Sequence, residues 1–151
     1  MTEIASAIWH QIVVTDLEGL SGASVASFVD SIIRRLDATA VVALDLIGAC
    51  PGLIGHERQV LERDDFLRKV ADAIQYDWAF FFLYSITPRS EDLVRADDKT
   101  IMLGADATIR LADDHYFYVY SRDEGLMFDL RCRYPTAEHK TSAFGQLDIP
   151  Y

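Results

Sequence analysis

Asparagine is absent from this chain of 151 residues. Because N-linked glycans are attached to asparagine, the sequence excludes N-glycosylation. Cysteine is scarce: Cys50 and Cys132 lie far apart and form neither a CxxC motif nor a dense disulfide framework. We expect both to be buried, reduced thiols, as is usual for cysteines of cytosolic proteins.

Long apolar runs and a secretion signal are also missing. No apolar run approaches the length that spans a bilayer. Residues 1–6 lack the basic and apolar regions of a signal peptide. We therefore predict a cytoplasmic protein that does not enter a membrane.

The motifs that identify common chemistries are missing too. The sequence has no GxGxxG or GxxxxGK[ST] loop to bind phosphate and no GxSxG turn to carry a nucleophile. His56 and Glu57 are not followed by a second histidine at the spacing of a helical zinc pair, and the four histidines are scattered. We therefore predict no catalytic activity, no metal and no cofactor.

Basic residues are few, with 14 against 24 acidic ones, and the net charge is −10. Residues 1–75 carry eleven acidic and six basic groups, and residues 76–151 carry thirteen and eight, so both halves are equally acidic. Such a field disfavours binding to nucleic acid and to anionic membranes. It favours a cationic partner, or serves solubility alone.

Aromatic residues, by contrast, are concentrated in one run, residues 77–86. Five of the seven residues from 78 to 84 are aromatic, and no charge lies between Asp77 and Arg89. A short apolar run of this kind is typical of a strand covered on both faces. Pro88 ends the run because it removes a ladder donor. The sequence predicts a central strand with residues 80–82 buried.

Two helices are predicted before this strand. Apolar residues recur at helical spacing over residues 25–36, with Ser21 or Ser24 placed to cap the start. A second apolar face covers residues 60–74, but charged residues interrupt it at 62–65. The second helix therefore either begins at residues 63–65 or includes a solvated turn.

Two further apolar segments are harder to assign. Residues 8–14 favour a strand over a helical turn. Residues 39–47 fit a strand or a helix, because periodicity does not decide on so short a run.

Short strands separated by turns are predicted after Pro88. They are residues 101–103, 107–111, 115–120 and 126–133, the last with clear alternation of apolar and polar residues. Residues 136–151 are predicted to be a surface tail. We predict a single α+β domain over residues 1–151, with N-terminal helices packed on a mainly antiparallel sheet and a C-terminal β-meander.

Three groups of reactive side chains need interpretation. Asp113, Asp114 and His115 could bind a metal or pair an acid with a base, but Asp is favoured in turns for conformational reasons, and we prefer the turn. The charged stretch at residues 57–65 is interpreted as a solvated helix face. Cys132 is predicted to be an inert core thiol.

The tyrosine-rich segment after the Asp113 turn is the main candidate for a binding surface. Alternation would place its tyrosines on one strand face, where they could pack across strands or form an interface, in which Tyr is enriched. We predict that a partner binds there, with the acidic turns as the rim of the interface. The predicted partner-binding residues are Asp113, Asp114, Tyr116, Tyr118, Tyr120, Asp123 and Glu124.

The segment TIRLADDHYFYVY, residues 108–120, resembles strand–turn–strand segments of the immunity proteins of bacterial polymorphic-toxin and contact-dependent-inhibition systems. The small, acidic, single-domain character of the chain is similar to those proteins as well. The resemblance implies a cytoplasmic inhibitor that binds a cognate toxin, a basic toxin domain, and blocks its active site. It carries over no functional residues.

Three classes of function therefore remain open. The first choice is an interaction protein of the immunity type. The second is a small-ligand-binding or regulatory domain with a pocket between the helices and the sheet. The third is an enzyme whose site assembles only in space, around Asp113, Asp114 and His115.

Overall fold

A computed structural model describes residues 7–15, 19–49, 58–113 and 115–150 of the chain. Within them lie seven strands and five helices. The strands are β1 (Trp9–Val14), β2 (Ala40–Ala49), β3 (Gln59–Glu62), β4 (Gln75–Tyr84), β5 (Ala107–Ala112), β6 (Tyr116–Ser121) and β7 (Glu138–Ser142). The helices are α1 (Gly22–Leu36), α2 (Arg63–Ala71), α3 (Ser90–Val94), α4 (Asp98–Gly104) and α5 (Glu124–Arg133).

The strands form one antiparallel sheet in the order β3-β2-β4-β5-β6-β1-β7. Consecutive strands β4, β5 and β6 are neighbours and form a meander. The predicted α+β class with a mainly antiparallel sheet is therefore confirmed.

The aromatic run is the interior strand that the sequence predicts. Strand β4 pairs with β2 on one side and β5 on the other. Phe80, Phe81 and Phe82 are all buried. Because successive side chains alternate between faces, this one strand supplies large rings to both sides of the sheet.

The sheet divides the interior into two cores. On the first face, Phe81, Ile109 and Val119 pack under helices α1, α2 and α5. On the second face, Phe80, Phe82 and Tyr120 pack under helices α3 and α4 and under the chain's last residues. We call residues 143–150 the C-terminal strap and the side of the sheet that it crosses the strap face.

The first helix begins and ends where its sequence predicts. Ser21 caps α1 by accepting a hydrogen bond from the backbone N–H of Ser24. Arg34 and Arg35 lie in the last turn, where a helix dipole favours cations. Arg35 donates to Asp129 of α5 at 2.6 Å, which ties α1 to α5.

The undecided segments are resolved in favour of strands. Residues 9–14 form β1, and residues 40–49 form β2. The segment 60–74 is divided: residues 59–62 form β3, and helix α2 begins at Arg63. Glu62 caps that helix, and Asp64 and Asp65 occupy its first turn.

Two predicted strands are wrong. Residues 101–103 belong to α4, whose start is capped by Asp97 through the N–H of Thr100 at 2.8 Å. Residues 126–133 belong to α5, capped by Asp123 in the same way. In α5 the buried residues are Leu126, Met127 and Leu130, at helical spacing, while Phe128 is exposed. The period-two alternation was coincidental, and the capping aspartate decided the structure.

Other expectations change at the C-terminal end. Residues 136–151 are not simply a surface tail, because residues 138–142 pair with β1 as strand β7 and the strap packs against the second core. Cys132 is an exposed thiol on α5 rather than a core thiol. Cys50, with residues 51–57, and residues 16–18 lie outside the described residues.

Candidate functional site

The tyrosines of β6 share one face of the sheet, as their alternation predicts. Tyr116, Tyr118 and Tyr120 point to the strap face, with ring centroids 6.1 and 6.4 Å apart in succession. Phe117 and Val119 point to the first core. Tyr116 and Tyr118 are half-buried, whereas Tyr120 is completely buried.

An arginine lies beside the central tyrosine. Arg110 of β5 is directly opposite Tyr118 in the antiparallel register. Its guanidinium carbon lies 4.0 Å from the centroid of the Phe80 ring and 4.8 Å from that of Trp78. Contact with two aromatic faces stabilises a buried cation. The sequence signal for this was a charge embedded in the apolar run of residues 107–112, which our sequence analysis missed.

The next strands continue the same row of side chains. Val13 of β1 is opposite Tyr118, and Glu138 of β7 is opposite Val13. We call the half-buried set Trp78, Tyr116, Tyr118 and Val13, together with Arg110, the tyrosine face. It is an apolar and aromatic surface across the four neighbouring strands β4, β5, β6 and β1.

Three exposed carboxylates act on the Tyr118 phenol through their charge. Burial raises the pKa of the phenol, and the nearby Tyr116, Asp113, Asp148 and Glu138 raise it further. These carboxylates, which we call the acidic rim, come from the β5–β6 turn, β7 and the strap. Their charges disfavour the phenolate form of Tyr118.

The predicted site residues are only partly brought together. Asp113 adopts a left-handed backbone with φ of 50° in the β5–β6 turn and is exposed at one end of β6. Asp123 and Glu124 follow the other end of β6 and begin α5, which packs on the first core. Asp123 accepts the N–H of Leu126 at 2.8 Å, so it caps a helix. Asp114 lies outside the described residues.

The Asp113 turn has the features of a turn rather than of a reactive site. The His115 Nδ1 lies 2.6 Å from the backbone oxygen of Asp113, and the His115 ring packs on Tyr116 with centroids 4.0 Å apart. Within the part of the chain that the structure describes, no three His, Cys, Asp or Glu side chains form a group that could hold a metal ion.

A pair of histidines joins β1 to β7. The His10 Nδ1 and the His139 Nε2 are 3.0 Å apart, the ring planes differ by 10° and the centroids are 5.3 Å apart. These values place the rings end to end and nearly coplanar, so one N–H donates directly to the other ring's lone pair. Burial lowers the pKa of His139, and the charges of Arg131 and His10 lower it further.

A groove of about 670 Å³ lies between α1 and α2, not between the helices and the sheet. Its arginines are already paired: Arg34 contacts Asp30 at 3.0 Å, and Arg63 contacts Asp64 at 3.3 Å. Charges that neutralise one another in this way do not converge on a ligand.

No family model, curated protein or solved structure matches this chain. Among the described helices, none has both the length and the apolar character needed to cross a membrane.

Proposed function

We propose that this protein is a cytoplasmic, acidic interaction protein of the immunity type, which binds a basic toxin domain and blocks its active site. The observation that carries the proposal is the half-buried pair Tyr116 and Tyr118 on one sheet face, with the charges of three exposed carboxylates acting on Tyr118. No nucleic acid, membrane, metal or cofactor has a part in the proposed role.

The aromatic centre of this surface supports protein binding. Tyrosine side chains combine a large apolar area with a polar tip and lose little conformational entropy when they are ordered. Tyr116 and Tyr118 are held by neighbouring rings on a sheet, so their orientation is set before a partner arrives. Preorganised anchors of this kind are typical of interface hot spots.

The rim supports a partner of positive charge. The charges of Asp113 and Glu138 act on the anchor, Asp148 is already paired with Lys140 at 2.6 Å, and the whole chain has a net charge of −10. Complementary charge accelerates association and penalises partners of the wrong sign. A basic partner active on nucleic acid would fit this surface and would be unable to engage its own anionic substrate while bound.

The test begins in the source genome, where we expect a basic toxin domain to be encoded beside this chain. Co-expression of the two should rescue growth of a host that the toxin domain alone kills. Co-expression with a Tyr118→Ala variant should give weaker rescue. An acidic neighbouring protein, or unchanged killing on co-expression, would contradict the proposal.

Binding kinetics with the two purified proteins locate the surface. Tyr118→Ala should mainly speed dissociation, by a factor corresponding to about 2 kcal/mol for a hot-spot residue. Phe128→Ala is a matched control, because this exposed aromatic residue lies on α5 in the opposite layer. Equal dissociation rates for the two variants would show that the tyrosine face is not the interface.

A further inference from the structure

The C-terminal strap crosses the strap face directly beside the tyrosine face. Phe144 packs on Trp9 with ring centroids 5.1 Å apart, and Leu147 and Ile149 pack against the second core. The strap therefore runs across the strands, from β7 over β1 and β6 toward β5.

Three buried side chains of the sheet bind main-chain atoms of the strap. The backbone N–H of Asp148 donates to the Gln11 side-chain oxygen at 2.9 Å, and the Tyr120 hydroxyl donates to the backbone oxygen of Asp148 at 2.5 Å. The Arg110 Nε donates to the backbone oxygen of Pro150 at 2.9 Å. Gln11 and Arg110 are each only 4% exposed, and Tyr120 is fully buried. The sheet thus offers a polar groove that recognises a peptide backbone.

Such a groove is unusual for a segment that only completes a core. The first core is built almost entirely from apolar side chains, whereas the surface beneath the strap carries a glutamine, an arginine and a tyrosine hydroxyl. Hydrogen bonds to main-chain atoms give affinity for an extended segment, and pockets for alternate side chains give selectivity. The surface of Trp9 that the Phe144 ring contacts, which we call the Trp9 seat, is one such pocket.

The strap is attached to the sheet by side-chain contacts and not by strand pairing. One 3-10 turn at Phe144–Gln146 is its regular element, and the seven paired strands do not include residues 143–150. Asp148 also forms an exposed ion pair with Lys140 at 2.6 Å, and exposed ion pairs contribute little. Opening of the strap therefore breaks its bonds to Gln11, Tyr120 and Arg110 but leaves every strand of the sheet paired.

We propose that the strap is a displaceable occupant of this groove, and that an extended segment of the basic protein partner takes its place during binding. The replacing segment has a large apolar residue for the Trp9 seat and main-chain groups for Gln11, Tyr120 and Arg110. This inference rests on the proposed function. Departure of the strap enlarges the exposed surface next to Tyr118 and takes Asp148 away from the rim, so Asp113 and Glu138 are the rim carboxylates that remain beside the bound segment.

A labelled synthetic peptide with the sequence of residues 143–150 probes the groove without any partner. In full-length Phe144→Ala/Asp148→Lys, the strap loses its ring contact and gains a repulsion with Lys140. The peptide should bind this variant about tenfold more tightly than it binds the wild type, because apparent affinity follows the fraction of open grooves. Fluorescence anisotropy measures both affinities.

Two further variants define the result. Gln11→Ala in the weakened variant should reduce the affinity for the peptide, because the side-chain oxygen that accepts the hydrogen bond from the Asp148 N–H is removed. Asp72→Lys makes the same charge change at the end of α2, in the opposite layer, and should bind the peptide as the wild type does. Loss of the near-UV circular dichroism of the double variant would mean that its tertiary packing is lost. The peptide affinity of the single variant Asp148→Lys, which keeps every apolar contact of the strap, would then be compared with that of the wild type.

Equal peptide affinity of wild type and weakened variant would overturn the displaceable strap. So would rapid amide exchange of β6 along with the strap, measured by hydrogen exchange in the weakened variant. Neither result depends on a toxin domain. Failure here is therefore distinguishable from failure of the proposed function, which the growth rescue and the Tyr118→Ala kinetics test separately.

Discussion

A single aromatic side chain ties the central strand to the helix that covers it. Phe81 is completely buried in the first core, with its ring centroid 4.9 Å from that of Phe66 and 6.1 Å from that of Tyr76, both edge to face. Such contacts add to the free energy of burial. The consequence is that one ring couples β4 to helix α2 and to the beginning of its own strand.

Phe81→Ala should lower the free energy of unfolding by about 3–5 kcal/mol, because it combines lost burial with a cavity. Phe128→Ala, at a site that is 64% exposed, should change it by less than about 0.5 kcal/mol. Urea melts of the two variants make the comparison. A loss well under about 1 kcal/mol for Phe81→Ala would mean that β4 is not central.

Tyr84 gives the second core a pH dependence. Burial, with a further contribution from the charge of Asp106, raises its pKa from 10.0 to about 12, and its hydroxyl donates to the backbone oxygen of Ile101 at 2.8 Å. Between these two pKa values the unfolded chain has lost the proton and the folded chain keeps it. The stability that Tyr84 contributes is therefore fully present below pH 10 and is lost as pH rises toward 12.

In Tyr84→Phe, this contribution to the pH slope should disappear. The wild type should lose about 2–3 kcal/mol more than the variant between pH 9.5 and 12, since one pKa unit corresponds to about 1.4 kcal/mol. Urea melts across this range measure the difference, which cancels the titration of the other tyrosines. Parallel slopes would contradict a raised pKa at Tyr84.

At the scale of elements, two helices approach so closely that only glycine fits. Gly22 lies in the first turn of α1, and its N–H donates to the backbone oxygen of Ala73 at 3.1 Å. A Cβ there would lie 2.1 Å from that oxygen and 2.7 Å from the backbone oxygen of Val70. Both obstacles are main chain, so a side chain cannot be accommodated by a rotamer change.

Gly22→Ala should therefore destabilise the fold by about 1–3 kcal/mol, as overpacking does. Gly104→Ala is the matched control, because the nearest atom to its Cβ would be the Tyr84 Cε1 at 3.9 Å, an ordinary contact. The melting temperatures of the two variants and of the wild type make the comparison. If Gly22→Ala melts at the same temperature as the wild type, the start of α1 does not lie against the end of α2.

The pairing of β7 with β1 depends on a histidine that resists protonation. The folded-state pKa of His139 lies below its usual 6.5, so the folded chain binds fewer protons than the unfolded chain just below that pH. Stability from this site is therefore present above pH 6.5 and is lost as pH falls through the folded-state pKa.

We expect the hydrogen-exchange protection of β7 amides to fall between pH 7 and pH 5, after correction for the intrinsic exchange rate, while β4 stays protected. His139→Gln should show no such change, since it has no titrating group at that position. Protection of β7 that is constant across this range would show that the histidine pair does not control the edge strand.

At the scale of the whole molecule, charge is spread over both halves of the chain, but the acidic rim is concentrated on one face. Its three carboxylates come from separate parts of the fold, and the charge of each acts on Tyr118. They are Asp113 of the β5–β6 turn, Glu138 of β7 and Asp148 of the strap. Steering depends on the local potential at the docking surface more than on net charge. Equal changes in net charge should therefore have unequal effects on association.

Asp113→Lys/Glu138→Lys should slow association with the basic partner and weaken its dependence on salt, with little change in dissociation. Two exposed reversals in the opposite layer, Asp72→Lys/Glu124→Lys, change the net charge by the same amount and should have a smaller effect. Stopped-flow association rates at low and high salt distinguish them. Equal slowing by both pairs would assign steering to net charge and not to the rim.

The helices and strands differ in how well the sequence alone predicts them. Helix α1 and strand β4 were predictable, because helical spacing with a serine cap and a dense aromatic run each have one compatible structure. Strand β2 was undecided, since its short apolar run fits either element until it pairs with β3 and β4. Helix α5 was missed because alternation at Phe128, Leu130 and Cys132 outweighed the capping signal of Asp123.

The candidate site divides in the same way. Local alternation was enough to place Tyr116, Tyr118 and Tyr120 on one face. It could not show that Tyr120 is buried, because the covering strap comes from a segment distant in the chain. Nor could it separate Asp113 from Asp123, which lie at opposite ends of one strand.

By itself, the sequence determined the α+β class, the central strand, the first helix and the shared face of the tyrosines. These depend on interactions between residues close in the chain, where period and capping act. Only the tertiary structure decided which tyrosines remain accessible, that Arg110 lies against Trp78 and Phe80, and that Glu138 and Asp148 join Asp113 around Tyr118. Those relations arise from strand order and from the path of the strap, which bring together residues that no local pattern connects.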